Sequence, residues 1–153
     1  MWMKKVQMDA HPAFTKYVRE SMPTCRAVPK IVKALQTYGG LSEDQVRKAL
    51  SWGHAPLVRV VDLWDDEAWE SQGNGGFDPR KPGEIHIAEH RVKQFETPGA
   101  GGTDTNAAGA LVYVVGSTLL HELCHWGLHH VGKAEVGEAG RRFEEAVYGK
   151  QIN

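Results

Sequence analysis

The sequence predicts an α+β fold, and three observations carry that prediction. Two short stretches rich in β-branched residues, 57–62 and 83–90, sit among segments of helical periodicity without alternating regularly with them. The longest apolar run, AAGALVYVVGSTLL at 107–120, leads straight into His121 and Glu122 and reads as a buried helix. At 153 residues, with 41% hydrophobic and 24% charged residues, the chain can bury one core around that helix, so residues 1–153 are expected to form a single domain.

Taken in order, residues 11–21, 29–38 and 42–52 are expected as helices. The third contains LSEDQVRKAL, where Ser42 can cap and Gln45 can reach back to it, and Gly39-Gly40 and Gly53 supply the stops. Residues 57–62 form a strand, and 65–84, rich in Gly, Pro, Asn and Asp, a long surface loop. In 83–90, Ile85 and Ile87 alternate about His86, the period-two pattern of a half-exposed edge strand. A second glycine-rich loop, 97–109, ends near Thr105 and Asn106, either able to cap the next helix at about 107–129. A last helix spans about 134 to 149, between Gly132 and Gly149.

Composition removes several function classes. A net charge of -1 with mixed signs leaves no footprint for nucleic acid or an anionic membrane. The apolar run is shorter than the ~20 residues of a membrane span, and no apolar segment follows the early lysines as in a cleavable secretory leader. Cys25 and Cys124 are too few for a disulfide framework and match no zinc spacing; Cys124 reads as a small core residue.

STLLHELCHWGLHH, residues 117–130, holds four of the eight histidines. Within it His121, Glu122 and His125 form H-E-x-x-H. Residues four apart on a helix stand about 6 Å apart along the axis, so both imidazoles can converge on one zinc ion. Glu122 would then act as general base toward a water activated by the metal, which is the chemistry of peptide hydrolysis. Burying these groups costs several kcal/mol unless they are paired, and a metal supplies the pairing.

Two histidines need a third ligand. On a straight helix His129 lies roughly 12 Å along the axis from His121, too far to share one ion. The metzincin pattern would need glycine at 128 and histidine at 131, where this chain has Leu128 and Val131. His129 and His130 therefore read as the polar end of the helix. The remaining candidates are the carboxylates of KAEVGEAG and GRRFEEAVYGK, of which the last helix offers Glu138, Glu144 and Glu145. Steps of 100° put Val136, Ala139, Gly140, Phe143 and Val147 on one stripe; Glu144 borders it and Glu145 faces away. Glu144 is the expected ligand, with Glu138 and Glu145 as the alternatives.

LLHELCHW followed by GEAGRRFEEAVYG resembles the zinc metallopeptidase toxin domains at the C-termini of spike and PAAR-type effectors of bacterial type VI secretion systems. Its F-E-x-x-x-Y-G segment falls on Phe143, Glu144, Tyr148 and Gly149, which carries the glutamate ligand onto Glu144. The sequence is also similar to the deuterolysin-like aspzincins, whose D-x-x-Y-G segment would align Glu145 with the aspartate ligand, although this chain has Glu there. These resemblances imply a zincin-like fold and a zinc cofactor, with Tyr148 donating to the oxyanion of the tetrahedral intermediate. Because zincin-like peptidases hold substrate backbone by strand addition, His86 could face the cleft; an ordinary exposed strand residue is the simpler reading. They further imply a secreted antibacterial effector acting on a peptide or protein substrate, delivered into a target cell on a secretion-system spike and paired with an immunity protein. The rival is a non-catalytic zinc-binding domain working through a protein partner. Glu122 counts against it, because a closed structural site needs no acid beside an open position.

Overall fold

The protein is described here by a computed structural model covering residues 1–63 and 73–153. Its fold is α+β. The β-branched segment Leu57–Val61 forms β1, which pairs in parallel with β3 (Glu84–Ala88) from Leu57↔Glu84 to Val61↔Ala88. The short β2 (Gly75–Gly76) joins the other side of β3 antiparallel, giving the order β1-β3-β2. β3 is therefore the central strand and not an edge. Ile85 and Ile87 are fully buried, and His86, expected to be half-exposed, retains only 3% exposure. Its Nε2 lies 2.9 Å from Glu84 Oε1, which also accepts from Arg59 on β1 at 3.2 Å.

The free edge of β1 is covered. The Val58 N–H donates to Trp2 O, and the Gln7 side-chain amide pairs with both backbone groups of Val60 at 2.7 and 2.9 Å, as a further strand would.

In place of one helix over 11–21 there are α1 (Lys5–Ala10), α2 (Pro12–Lys16), a π turn at Tyr17–Ser21 and a 3₁₀ turn at Met22–Ala27. Pro12 and Pro23 explain the breaks, since each opens a new helical segment and neither can donate to an α ladder. The helix α3 (Pro29–Gly39) stops at Gly40, whose φ of 68° suits glycine. Next, α4 (Glu43–Leu50) opens on the expected capping box, with Ser42 Oγ accepting from Gln45 N–H and Gln45 Oε1 accepting from Ser42 N–H.

β3 runs directly into α5 (Glu89–Glu96), a helix the sequence hides because Val92 is its one fully buried residue. Residues 97–109 hold β4 (Thr103–Thr105), which forms a hairpin with β5 (Leu111–Tyr113). Asn106 caps the turn of that hairpin, its Oδ1 accepting from the N–H groups of Ala108 and Ala110, and does not cap the following helix. The apolar run is thus split, and the motif helix α6 begins at Val114 and ends at His130.

α6 packs against α3, β3 and α7 (Ala139–Tyr148). Leu119, Leu120, Leu123 and Cys124 join Leu35, Ile85 and Phe143 in the core. α7 starts five residues later than expected because Gly137 has φ 71° and Glu138 is extended, and Val136 is left 75% exposed. Cys25 and Cys124 are free thiols. Of the expected 65–84 loop, 65–72 lie outside the described residues, and the remainder contains β2. Among the described residues no helix is long and apolar enough to cross a membrane.

Candidate metal centre

Because α6 presents residues 121, 122 and 125 on adjoining faces, His121, Glu122 and His125 open into one cleft. The two imidazole centroids are 5.2 Å apart. Nε2 of His121 and Nε2 of His125 lie 3.0 and 2.7 Å from the same oxygen, Oε1 of Glu138. The ligand atoms of these three residues fall within 4.8 Å of one another. A tetrahedral ion with bonds of ~2.0–2.1 Å spaces its ligands by about 3.3 Å, so this group stands close to the spacing that a bound cation needs. Glu138 is fixed from behind, because it is the N-cap of α7 and its Oε2 accepts the Arg141 N–H.

Glu144 is buried beside this group, at 6% exposure, but it meets only one imidazole and does so from the other side. Its Oε1 lies 2.7 Å from His121 Nδ1, and its Oε2 accepts the Ile152 N–H at 2.8 Å. The carboxylate facing both Nε2 atoms is thus Glu138, six positions before the one expected. The late start of α7 is the reason: an extended Glu138 reaches back over α6, whereas a helix begun at 134 would have buried that residue in a regular turn. Glu145 is exposed, as its helical face predicts. Glu135, which the sequence did not single out, lies 3.0 Å from His125 Nδ1.

Tyr148 lies away from the cleft. α7 returns antiparallel to α6, so the step from Glu144 to Tyr148 corresponds to the step from His121 back to Ser117. The Tyr148 hydroxyl sits by Ser117, its ring is edge-on to Phe143, and burial pushes the phenol up. His86 stays within the sheet. His129 and His130 are exposed; the first lies 5.4 Å from the Phe77 ring and the second stacks on Trp126 at 4.6 Å.

The cleft has two lobes, of about 450 and about 230 Å³, that share Gly75, His121, Glu122 and Glu138 and so form one groove across the site. Two glycines let its walls close. A Cβ at Gly75 would stand 2.6 Å from Thr118 Cγ2 and 3.2 Å from Glu122 Cγ, and one at Gly140 would stand 2.1 Å from His121 Cδ2. Gly140 was legible as part of the buried stripe, though as packing only. Gly75, in GNGG, carried no signal beyond a loop.

The electrostatics favour positive charge at this site. Burial pushes the Glu122 carboxyl up to about 7, against the pull of both histidines. Burial lowers His121, but its hydrogen bonds with Glu138 and Glu144 outweigh that and hold it at about 10; His125 is raised in the same way by Glu138 and Glu135. Burial also works against the charge on Glu138, yet its bonds with the two imidazoles keep it well below the usual carboxylate range. Four carboxylates around two imidazoles favour positive charge between them, and a His, His, Glu donor set suits a borderline-soft divalent metal.

The family model described as metallopeptidase toxin 3 matches residues 7–149. The chain belongs to this family. No curated protein and no solved structure matches it. As a metallopeptidase toxin domain it is expected to carry a metal, and every side chain of the cluster just described lies within the matched span.

Proposed function

We propose that this metallopeptidase toxin domain is a zinc-dependent endopeptidase of zincin-like architecture, comprising residues 1–153, with His121, His125 and Glu138 as ligands and Glu122 as general base. The observation that carries it is the convergence of two Nε2 atoms and one carboxylate oxygen beside a buried glutamate in an open groove. Zinc, when bound, supplies Lewis-acid polarisation and a water of lowered pKa. Glu122, buried beside the two histidines, is placed to take a proton from water and return it to the leaving amine. The edge of β2, running along the groove beside α6, offers backbone groups to an extended substrate.

Following the family, we read the domain as a secreted effector toxin. The resemblance to spike-borne effectors supports an antibacterial role, delivery into a target cell and a cognate immunity protein in the producer. The rival, a non-catalytic zinc domain, is disfavoured by Glu122 and by the open groove.

The purified domain should hydrolyse an unstructured protein such as casein, lose this activity to a chelator and regain it with zinc. Glu122→Ala should keep its zinc and lose hydrolysis by on the order of 100-fold or more. Full activity in that variant would refute the mechanism.

A further inference from the structure

Besides Glu122, three carboxylates surround the two imidazoles, and each of these three is tethered by a backbone N–H. Arg141 N–H holds Glu138, Ile152 N–H holds Glu144 and Ala139 N–H holds Glu135. Glu138 faces the two Nε2 atoms; Glu144 and Glu135 face the two Nδ1 atoms, at 2.7 and 3.0 Å. The same construction, backbone N–H to carboxylate to imidazole Nδ1, therefore occurs once on each histidine.

From this geometry we infer that Glu144 and Glu135 are positioning residues, each accepting the Nδ1–H of one histidine and so fixing the tautomer that leaves the Nε2 lone pair for the metal. The inference rests on the ligand set proposed above. A carboxylate at Nδ1 stops the ring from turning, selects one of two tautomers and makes the opposite nitrogen a better donor. The Glu135–Glu144 segment, EVGEAGRRFE, thus supplies one ligand and both supports. The two supports are unequal. The Glu144 side chain is 7% exposed and that of Glu135 is 36% exposed, so water can replace the second more readily than the first.

The test is zinc affinity, measured on the full chain by competition with a chromophoric chelator, together with ¹⁵N NMR of the histidine rings in the zinc-loaded protein. Glu144→Ala should keep one zinc per chain but bind it roughly 10–100-fold more weakly, with Glu144→Gln intermediate and Glu135→Ala weakened less. In wild type both rings should show the Nδ1–H, Nε2-metal pattern, and Glu144→Ala should blur it for His121 alone. Glu138→Ala should lose stoichiometric binding. If Glu135→Ala and Glu144→Ala bind zinc as wild type does while Glu138→Ala does not, the positioning roles are wrong and the ligand set stands. If Glu144→Ala loses the site and Glu138→Ala keeps it, the ligand set itself is wrong. Circular dichroism separates either result from misfolding, and the isosteric Gln variant keeps the test open if Ala fails to fold.

Discussion

Gly140 shows how a residue with no side chain can shape the proposed metal site. It occupies the second position of α7, where alanine should favour the helix by up to ~1 kcal/mol over glycine. Its missing Cβ, however, leaves the space in which the His121 ring lies, with Cδ2 only 2.1 Å from where that Cβ would be. The steric term wins, because the ring must swing away from Glu138 and Glu144 to make room. Gly140→Ala should therefore retain or gain helix content while hydrolysis falls on the order of 100-fold, a loss that a misplacement of about 1 Å can produce. Zinc content and kcat/KM, measured together, check this; an unchanged kcat/KM would show that the ring has slack. The adjacent glutamates Glu144 and Glu145 make the complementary point, since one is buried on an imidazole and the other exposed, a distinction that helical periodicity alone had drawn.

Elements explain why the third carboxylate was harder to read. H-E-x-x-H is written within one helix, so its geometry follows from 3.6 residues per turn. Glu138 meets the two Nε2 atoms from an extended N-cap, and its reach depends on where α7 begins, which Gly137 and the backbone of Glu138 decide. Similarly, the alternation of Ile85 and Ile87 marked β3 correctly as a strand but could not show whether neighbours flank it on both sides. It does have two, and His86 is enclosed with Glu84 and Arg59 as a result. Burial of Glu84 disfavours its charge, but His86 and Arg59 outweigh this and hold the carboxyl below its ordinary 4.5. A depressed carboxylate stabilises the fold above its unfolded value and loses that contribution as pH falls through the folded one. Glu84→Gln should thus be destabilising at neutral pH, with the gap from wild type narrowing below about pH 4.5, as urea unfolding at several pH values can show. A constant gap would mean that Glu84 contributes through packing alone.

For the whole molecule, the proposed metal ties α6 to the start of α7 and so to the core both helices share. A cation that binds the folded chain and not the unfolded one stabilises by about 2.7 kcal/mol at a hundredfold excess over Kd. At about 2–4 °C per kcal/mol for a chain of this size, zinc should raise Tm by about 5–10 °C, and a chelator should reverse the rise. Differential scanning fluorimetry measures this, and an unchanged Tm would deny the coupling. At this scale the α+β class, the buried motif helix and the convergence of His121 and His125 in one cleft were legible in the sequence because each follows from local periodicity. The β4–β5 hairpin, the central place of β3 and the remote position of Tyr148 were not, because chain partners many residues apart decide them. Zinc-soaked crystals, with anomalous diffraction recorded at the zinc edge, locate the ion itself. The expected peak lies about 2.0–2.1 Å from Nε2 of His121, Nε2 of His125 and a Glu138 oxygen, with Glu122 beside the open position. A peak bonded to Glu144 in place of Glu138, or no peak in the cleft, would contradict it.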